Sequence, residues 1–172
     1  DNLNIFSGKL KTVIIIPARY KSTRFPGKPL TLILGKPMIL WVAELCAEVL
    51  PAQCVYVATE DFQIKEIVEK AGFNVVMTSN KCLTGTDRLA EAAAQIEADI
   101  YVNVQGDEPL LNPTDILSII EVKKQYPHEV INGYSKIGDN EEPESVNIPK
   151  VIFNEDQQMV YMSRNLLPGT KT

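Results

Sequence analysis

The stretch 11–28, KTVIIIPARYKSTRFPGK, decides the fold. Its first half, Lys11–Ile16, is a short β-branched apolar run, and such a run reads as a strand buried on both faces. Pro17 ends it. The stretch Pro17–Pro29 then collects proline, glycine and basic residues, which is loop composition. A buried strand that opens into a cationic loop begins an α/β unit, and the remaining chain repeats the alternation.

Met38–Leu50 carries apolar residues at helical spacing, with Pro37 suited to the first turn and Pro51 beyond the end. Cys54–Ala58 predicts a second buried strand. Asp61–Ala71 predicts a helix begun by Asp61 and stopped by Gly72. Phe73–Met77 predicts a third strand, followed by a polar loop over Thr78–Gly85. Thr86–Ala98 predicts an alanine-rich helix, with Thr84 and Asp87 at capping-box spacing. Ile100–Val104 predicts a fourth strand, read as central. A helix opens at Asn112, Pro113 and Asp115 and runs to about Lys124. Glu129–Tyr134 and Lys150–Phe153 predict strands, and Met159–Met162 predicts a partner for the latter through a turn at Asn154–Gln157. The acidic segment Gly138–Asn147 predicts an exposed loop. This order predicts an α/β fold with a mostly parallel central sheet and helices on both faces. Residues 1–10 read as an arm outside the fold, and 11–172 as one domain.

A formal charge of −5 and a pI near 5.0 exclude a general polyanion binder. Positive charge is local instead: Arg19, Lys21, Arg24 and Lys28 lie within ten residues. Three cysteines, Cys46, Cys54 and Cys82, with no CxxC spacing and one histidine, His128, predict free thiols in a reducing cytosol. No apolar run is long enough to predict a membrane span.

In doubly wound sheets, ligands bind beyond the carboxyl ends of the strands. Each unusual polar cluster here follows a strand. The loop after the first strand offers Arg19, Ser22 and Lys28 as donors, and Gly27 lets the backbone turn; such a loop can bind phosphate. It is neither a Walker A loop nor a GxGxxG turn. After the fourth strand come Gln105, Gly106, Asp107 and Glu108. A carboxylate facing a triphosphate there is a natural Mg²⁺ ligand, and Asp107 and Glu108 both offer one. No Ser–His or Cys–His arrangement for nucleophilic catalysis is visible.

PARYKSTRFPGKPL over 17–30, continued by GKPMI over 35–39, resembles the nucleotide-binding motif PARxxSxRxPGKPL of the CMP-Kdo synthetase (3-deoxy-manno-octulosonate cytidylyltransferase) family. VNVQGDEPL over 102–110 resembles its VNVQGDEP motif. MTSNKCLTGTDR over 77–88 resembles its MT…GT[ED]R stretch, and YMSRNLLP over 161–168 its YFSRxxIP. The resemblance implies a three-layer, Rossmann-like nucleotide-diphospho-sugar transferase fold. It implies transfer of CMP from CTP to a 2-keto-3-deoxy sugar acid, foremost Kdo, with release of pyrophosphate, Mg²⁺ as cofactor, a role in lipopolysaccharide synthesis, a cytoplasmic setting and a homodimer in the full-length form. It puts Pro17, Ala18, Arg19, Ser22 and Lys28 on the nucleotide, and Thr78, Gly85 and Arg88 on the cytidine side, with a structural ion pair as the other role open to Arg88. Gln105 and Arg164 fall to the sugar acid, Asp107 to the metal, and Arg19, Lys28 and Asp107 to catalysis.

The resemblance covers Lys11 to Pro168, whereas members of the family continue for a further third that supplies a second metal-binding aspartate and further sugar contacts. The chain is therefore expected to be incomplete at its C-terminus or shortened. NLLPGTKT over 165–172 and the stretch 131–149 depart from the pattern. These departures leave open an acceptor other than Kdo (8-amino-Kdo, a sialic acid or another nonulosonic acid), and the missing third leaves open a non-catalytic nucleotide-binding module. A uridylyltransferase or an isoprenoid-precursor enzyme fits the motif pair less well.

Overall fold

The computed structural model describes residues 10–22, 25–133, 150–153, 155–156 and 158–163. Two compact units divide the chain, Asp1–Asn132 and Gly133–Thr172.

In the first unit, strands β1 (Thr12–Pro17), β4 (Val55–Thr59), β5 (Asn74–Met77) and β6 (Ile100–Asn103) form a sheet in the order β5-β4-β1-β6. All three pairings are parallel, with Ile14 opposite Val55 and Val102, and Val57 opposite Val75. A minor antiparallel hairpin joins β2 (Leu32–Ile33) to β3 (Lys36–Pro37). Helices α1 (Met38–Ala47), α2 (Phe62–Lys70), α3 (Gly85–Ala93) and α4 (Pro113–Gln125) complete the unit.

The six residues of β1 are all buried, because side chains on both its faces meet helices. On one face Ile14 and Ile16 pack with Val42 of α1, Ile64 of α2 and Ile116 of α4. On the other Val13 and Ile15 pack with Ala92 of α3 and with Ile96. This is the three-layer arrangement. Each buried isoleucine contributes roughly 2 kcal/mol of hydrophobic stabilisation relative to exposure, so the continuous apolar run makes β1 the backbone of the core.

The local stop and start signals act as their chemistry requires. The Asp61 carboxylate caps α2 by accepting from the Gln63 and Ile64 amides. Thr84 and Asp87 form a full capping box at α3, and Asn112 caps α4. Helices α1 and α3 end at Ala47 and Ala93, earlier than the predicted Leu50 and Ala98. The polypeptide after each continues as tight turns, with Leu50 N–H bonding to Cys46 O and Ile96 N–H to Ala93 O.

Two expectations are corrected. First, β6 is not central among the described residues. It lies at the end of the strand order, and Tyr101 and Asn103 alternate outward while Ile100 and Val102 are buried. An alternating IYVN sequence is what a half-covered strand carries. Second, no strand forms over the described part of Glu129–Tyr134. A turn at Tyr126–Glu129 follows α4, and Val130 stands 86% exposed, with no partner strand among the described residues. The β2–β3 hairpin was not read from the sequence. Its turn uses Leu34 at φ 50° and Gly35 at φ 79°, and leucine is a poor signal for the left-handed conformation.

In the second unit, β7 (Lys150–Phe153) and β8 (Met159–Ser163) form an antiparallel hairpin, as the sequence predicts. All three cysteine thiols are free, and burial pushes the Cys46 thiol up to about 12. No described helix is long and apolar enough to cross a membrane.

Candidate active site

Because β1 and β6 are parallel neighbours, the segments that leave them emerge at the same edge of the sheet. The ladder continues past β6, with Val104 N–H donating to Ile15 O at 3.1 Å. The turn that follows presses onto the end of β1. A Cβ on Gly106 would lie 3.0 Å from the Pro17 carbonyl oxygen and 3.5 Å from both Ile16 Cγ2 and Ile39 Cδ1. Glycine at 106 is therefore a packing requirement that seats Asp107 beside the first loop.

That loop is closed by two glycine features. Gly27 N–H donates to Tyr20 O at 2.8 Å, and Gly27 sits at φ 70°, where a side chain would meet the Tyr20 ring. The closure delivers Lys28 at the start of a 3-10 turn, and its Nζ lies 2.7 Å from Asp107 Oδ2. Arg19, Tyr20, Lys21, Ser22 and Pro26 line a concavity of about 360 Å³. Ser22 Oγ accepts from the Phe25 amide at 3.3 Å. Ala18 N–H bonds to Ala58 O at 2.8 Å, which continues the β1–β4 ladder into the loop.

The α3 side meets the same edge. A Cβ on Gly85 would lie 3.7 Å from Gln105 Oε1 and 3.9 Å from Pro17 Cβ, so the N-terminus of α3 abuts both loops. Gln105 Nε2 reaches Asn103 Oδ1 at 3.4 Å. Arg88 is only 3% exposed. Its Nη1 donates to Thr78 Oγ1 at 2.5 Å and to Ser79 O at 3.4 Å, and lies 2.9 Å from Glu60 Oε2. The last contact is a close ion pair without hydrogen-bond alignment, since Oε2 accepts no hydrogen bond among the described residues. Sequence reasoning missed Glu60. Its signal was positional: a carboxylate directly after β4, at the binding edge of the sheet.

Pro17, Ala18, Arg19, Ser22, Lys28, Gly85, Gln105 and Asp107 thus gather along one edge, with Thr78 and Arg88 behind them. Arg164, and Arg24 of the basic loop, lie outside the described residues.

The profile of the cytidylyltransferase family matches residues 13–171. The chain belongs to the cytidylyltransferase family. Similar relatives include an 8-amino-3,8-dideoxy-manno-octulosonate cytidylyltransferase of Shewanella amazonensis, 41% identical over 92% of this chain and 67% of its own length. A 3-deoxy-manno-octulosonate cytidylyltransferase of Escherichia coli is 40% identical over 92% of this chain and 64% of its own length. Among solved structures, CMP:2-keto-3-deoxy-manno-octonic acid synthetase complexed with CTP superposes with a TM-score of 0.79 at 38% identity, covering 92% of this chain and 66% of that one. The chain spans about two thirds of the length of these relatives.

Within this cytidylyltransferase fold, the electrostatics of the edge are mixed. Partial burial, and then the neighbouring Asp107 charge, raise the Glu108 carboxyl above its ordinary value. A Thr84 hydroxyl hydrogen bond first, then the Thr84 amide, hold Asp87 below its ordinary value. Among the described residues no three His, Cys, Asp or Glu side chains cluster as a protein cage for a metal. Asp107 already faces a cation, the Lys28 ammonium. One carboxylate, with the remaining ligands drawn from substrate phosphates and water, fits magnesium, which takes few protein ligands at nucleotide sites.

Proposed function

We propose that the chain forms the nucleotide-binding part of an enzyme that transfers CMP from CTP to a 3-deoxy-manno-octulosonate-type sugar acid and releases pyrophosphate. The observation that carries this reading is the 2.7 Å contact between Lys28 and Asp107, which joins the cationic loop after β1 to the acidic turn after β6. A triphosphate needs positive charge around its oxygens and a carboxylate for its metal, and this edge presents both.

In the proposed reaction the anomeric hydroxyl of the sugar acid attacks the α-phosphorus in line. An O–P bond forms, the bond from the α-phosphorus to the bridging oxygen breaks, pyrophosphate leaves, and the hydroxyl proton passes to solvent. Arg19 and Lys28 bind the phosphate oxygens and hold the leaving group's charge. Ser22 and the loop amides orient the chain of phosphates. Gly85 lets the α3 N-terminus approach the cytidine side, while Thr78 and Arg88 brace that side from within. Gln105 is assigned to the sugar acid, and Arg164 to its carboxylate. Asp107 would hold magnesium, which supplies charge neutralisation on the phosphates and a lower pKa for the attacking hydroxyl. Most of the rate enhancement then comes from positioning and fixed charge. Use in lipopolysaccharide synthesis, a cytoplasmic setting and a homodimeric full-length form belong to the same proposal.

The relatives named for Kdo and for 8-amino-Kdo stand at 40% and 41% identity, so they support the two acceptors equally. Pyrophosphate release, measured with each nucleoside triphosphate against Kdo, 8-amino-Kdo and a sialic acid, tests the reading. CTP with one of the first two acids is the expected pair. Equal use of UTP, or turnover with the sialic acid alone, would overturn the assignment.

A further inference from the structure

Glu60, directly after β4, contacts the loop after β1 on one side and Arg88 of α3 on the other. Its side chain is 8% exposed. Oε1 accepts from the Tyr20 amide at 3.1 Å and from the Lys21 amide at 3.5 Å. Those two residues sit between Arg19 and Ser22, on the wall of the concavity. Oε2 pairs with Arg88, whose guanidinium in turn holds Thr78 and Ser79. A buried carboxylate needs a partner for each oxygen, and this one takes a loop amide on one side and a guanidinium on the other. The loop after β1 is thereby linked, through Glu60 and then Arg88, to the Thr78–Ser79 segment.

We propose that Glu60 is a positioning residue for triphosphate binding, coupling the Tyr20–Lys21 backbone to the Thr78–Arg88 brace. This rests on the functional reading above and adds to it a residue that touches no substrate. A side chain serving stability alone would weaken every nucleotide equally when replaced. A side chain that orients the loop carrying Arg19 and Ser22 affects the β- and γ-phosphates selectively, because only they depend on that loop in full.

The test uses Glu60→Gln, which keeps the shape and an acceptor but removes the charge. Glu60→Gln/Arg88→Met carries the same test without an unpaired buried guanidinium, should the single variant unfold. Dissociation constants for CMP and CTP are measured by calorimetry, and amide exchange at Tyr20 and Lys21 is followed with no nucleotide present. The expected result is a fall of about tenfold in the CMP-to-CTP ratio of dissociation constants, of the size expected for weakened bonds to a charged group, together with faster exchange at both amides. An unchanged ratio in a folded variant, or unchanged exchange, overturns the proposal. If the unmodified chain binds no CTP, the functional reading fails; the exchange measurement still decides whether Glu60 holds the loop.

Discussion

Lys28 Nζ lies 2.7 Å from Asp107 Oδ2, although 79 positions of sequence separate them. Both side chains are about half exposed, so the pair adds little to stability. Its significance on the proposed reading is chemical: two groups of opposite charge are held at one sheet edge, where a metal-bound triphosphate would separate them.

Asp107→Asn should therefore leave folding within ~0.5 kcal/mol of the parent, as expected for a solvent-screened pair, while abolishing the Mg²⁺ dependence of CTP affinity. Lys28→Ala should weaken CTP about tenfold with or without the metal, the loss of one charge-assisted contact. Calorimetric titrations with and without Mg²⁺ check both. Retained Mg²⁺ enhancement in Asp107→Asn would remove that residue from the metal site.

Gly106→Ala places a methyl group 3.0 Å from the Pro17 carbonyl oxygen, which is backbone and cannot turn aside. Overpacking of this kind costs about 1–3 kcal/mol. The expected outcome is a lowered denaturation midpoint and weaker CTP binding, since the shift must separate the end of β1 from the Asp107 turn. Parent-like stability would mean that the turn relaxes freely.

Leu34 adopts φ 50° and stands 92% exposed at the hairpin turn. Left-handed backbone at leucine costs about 1–2 kcal/mol that asparagine largely avoids. Leu34→Asn should therefore raise stability by about 1 kcal/mol, or about 2–4 °C in Tm for a chain of this size. A thermal melt decides it, and a lower Tm would show that the leucine makes contacts that offset its strain.

The α3 cap gives a pH dependence with a definite sign. Asp87 is held below its ordinary value by Thr84, so the unfolded chain binds its proton more tightly than the folded one. Its contribution is present above the ordinary aspartate value and is lost as pH falls through the folded one. Thr84→Ala should lower stability by about 1 kcal/mol near neutrality, and the gap from the parent should narrow in acid. Urea melts at neutral pH and below pH 4 (about the ordinary aspartate value) test this; a gap independent of pH would disprove the reciprocal cap.

The helix starts were legible because each depends on a few adjacent residues: Asp61, the Thr84–Asp87 pair and Asn112 cap helices through bonds to amides two or three positions away. The place of β6 in the sheet was not, since strand order depends on which faces the helices cover. The sequence left Arg88 open between the cytidine side and a structural ion pair; its guanidinium pairs with Glu60 and donates to Thr78, partners that its neighbours in sequence do not announce.

By itself, the sequence determined that β1 would be buried on both faces and that basic and acidic clusters would follow strands. Periodicity and capping act over a few residues, and composition carries them directly. The tertiary structure alone decided that Lys28 meets Asp107, that Gly106 must lack a side chain, and that Glu60 joins the loop after β1 to Arg88. Each of these is a distance between segments far apart along the chain, and parallel pairing sets such distances through the register of β1 against β4 and β6.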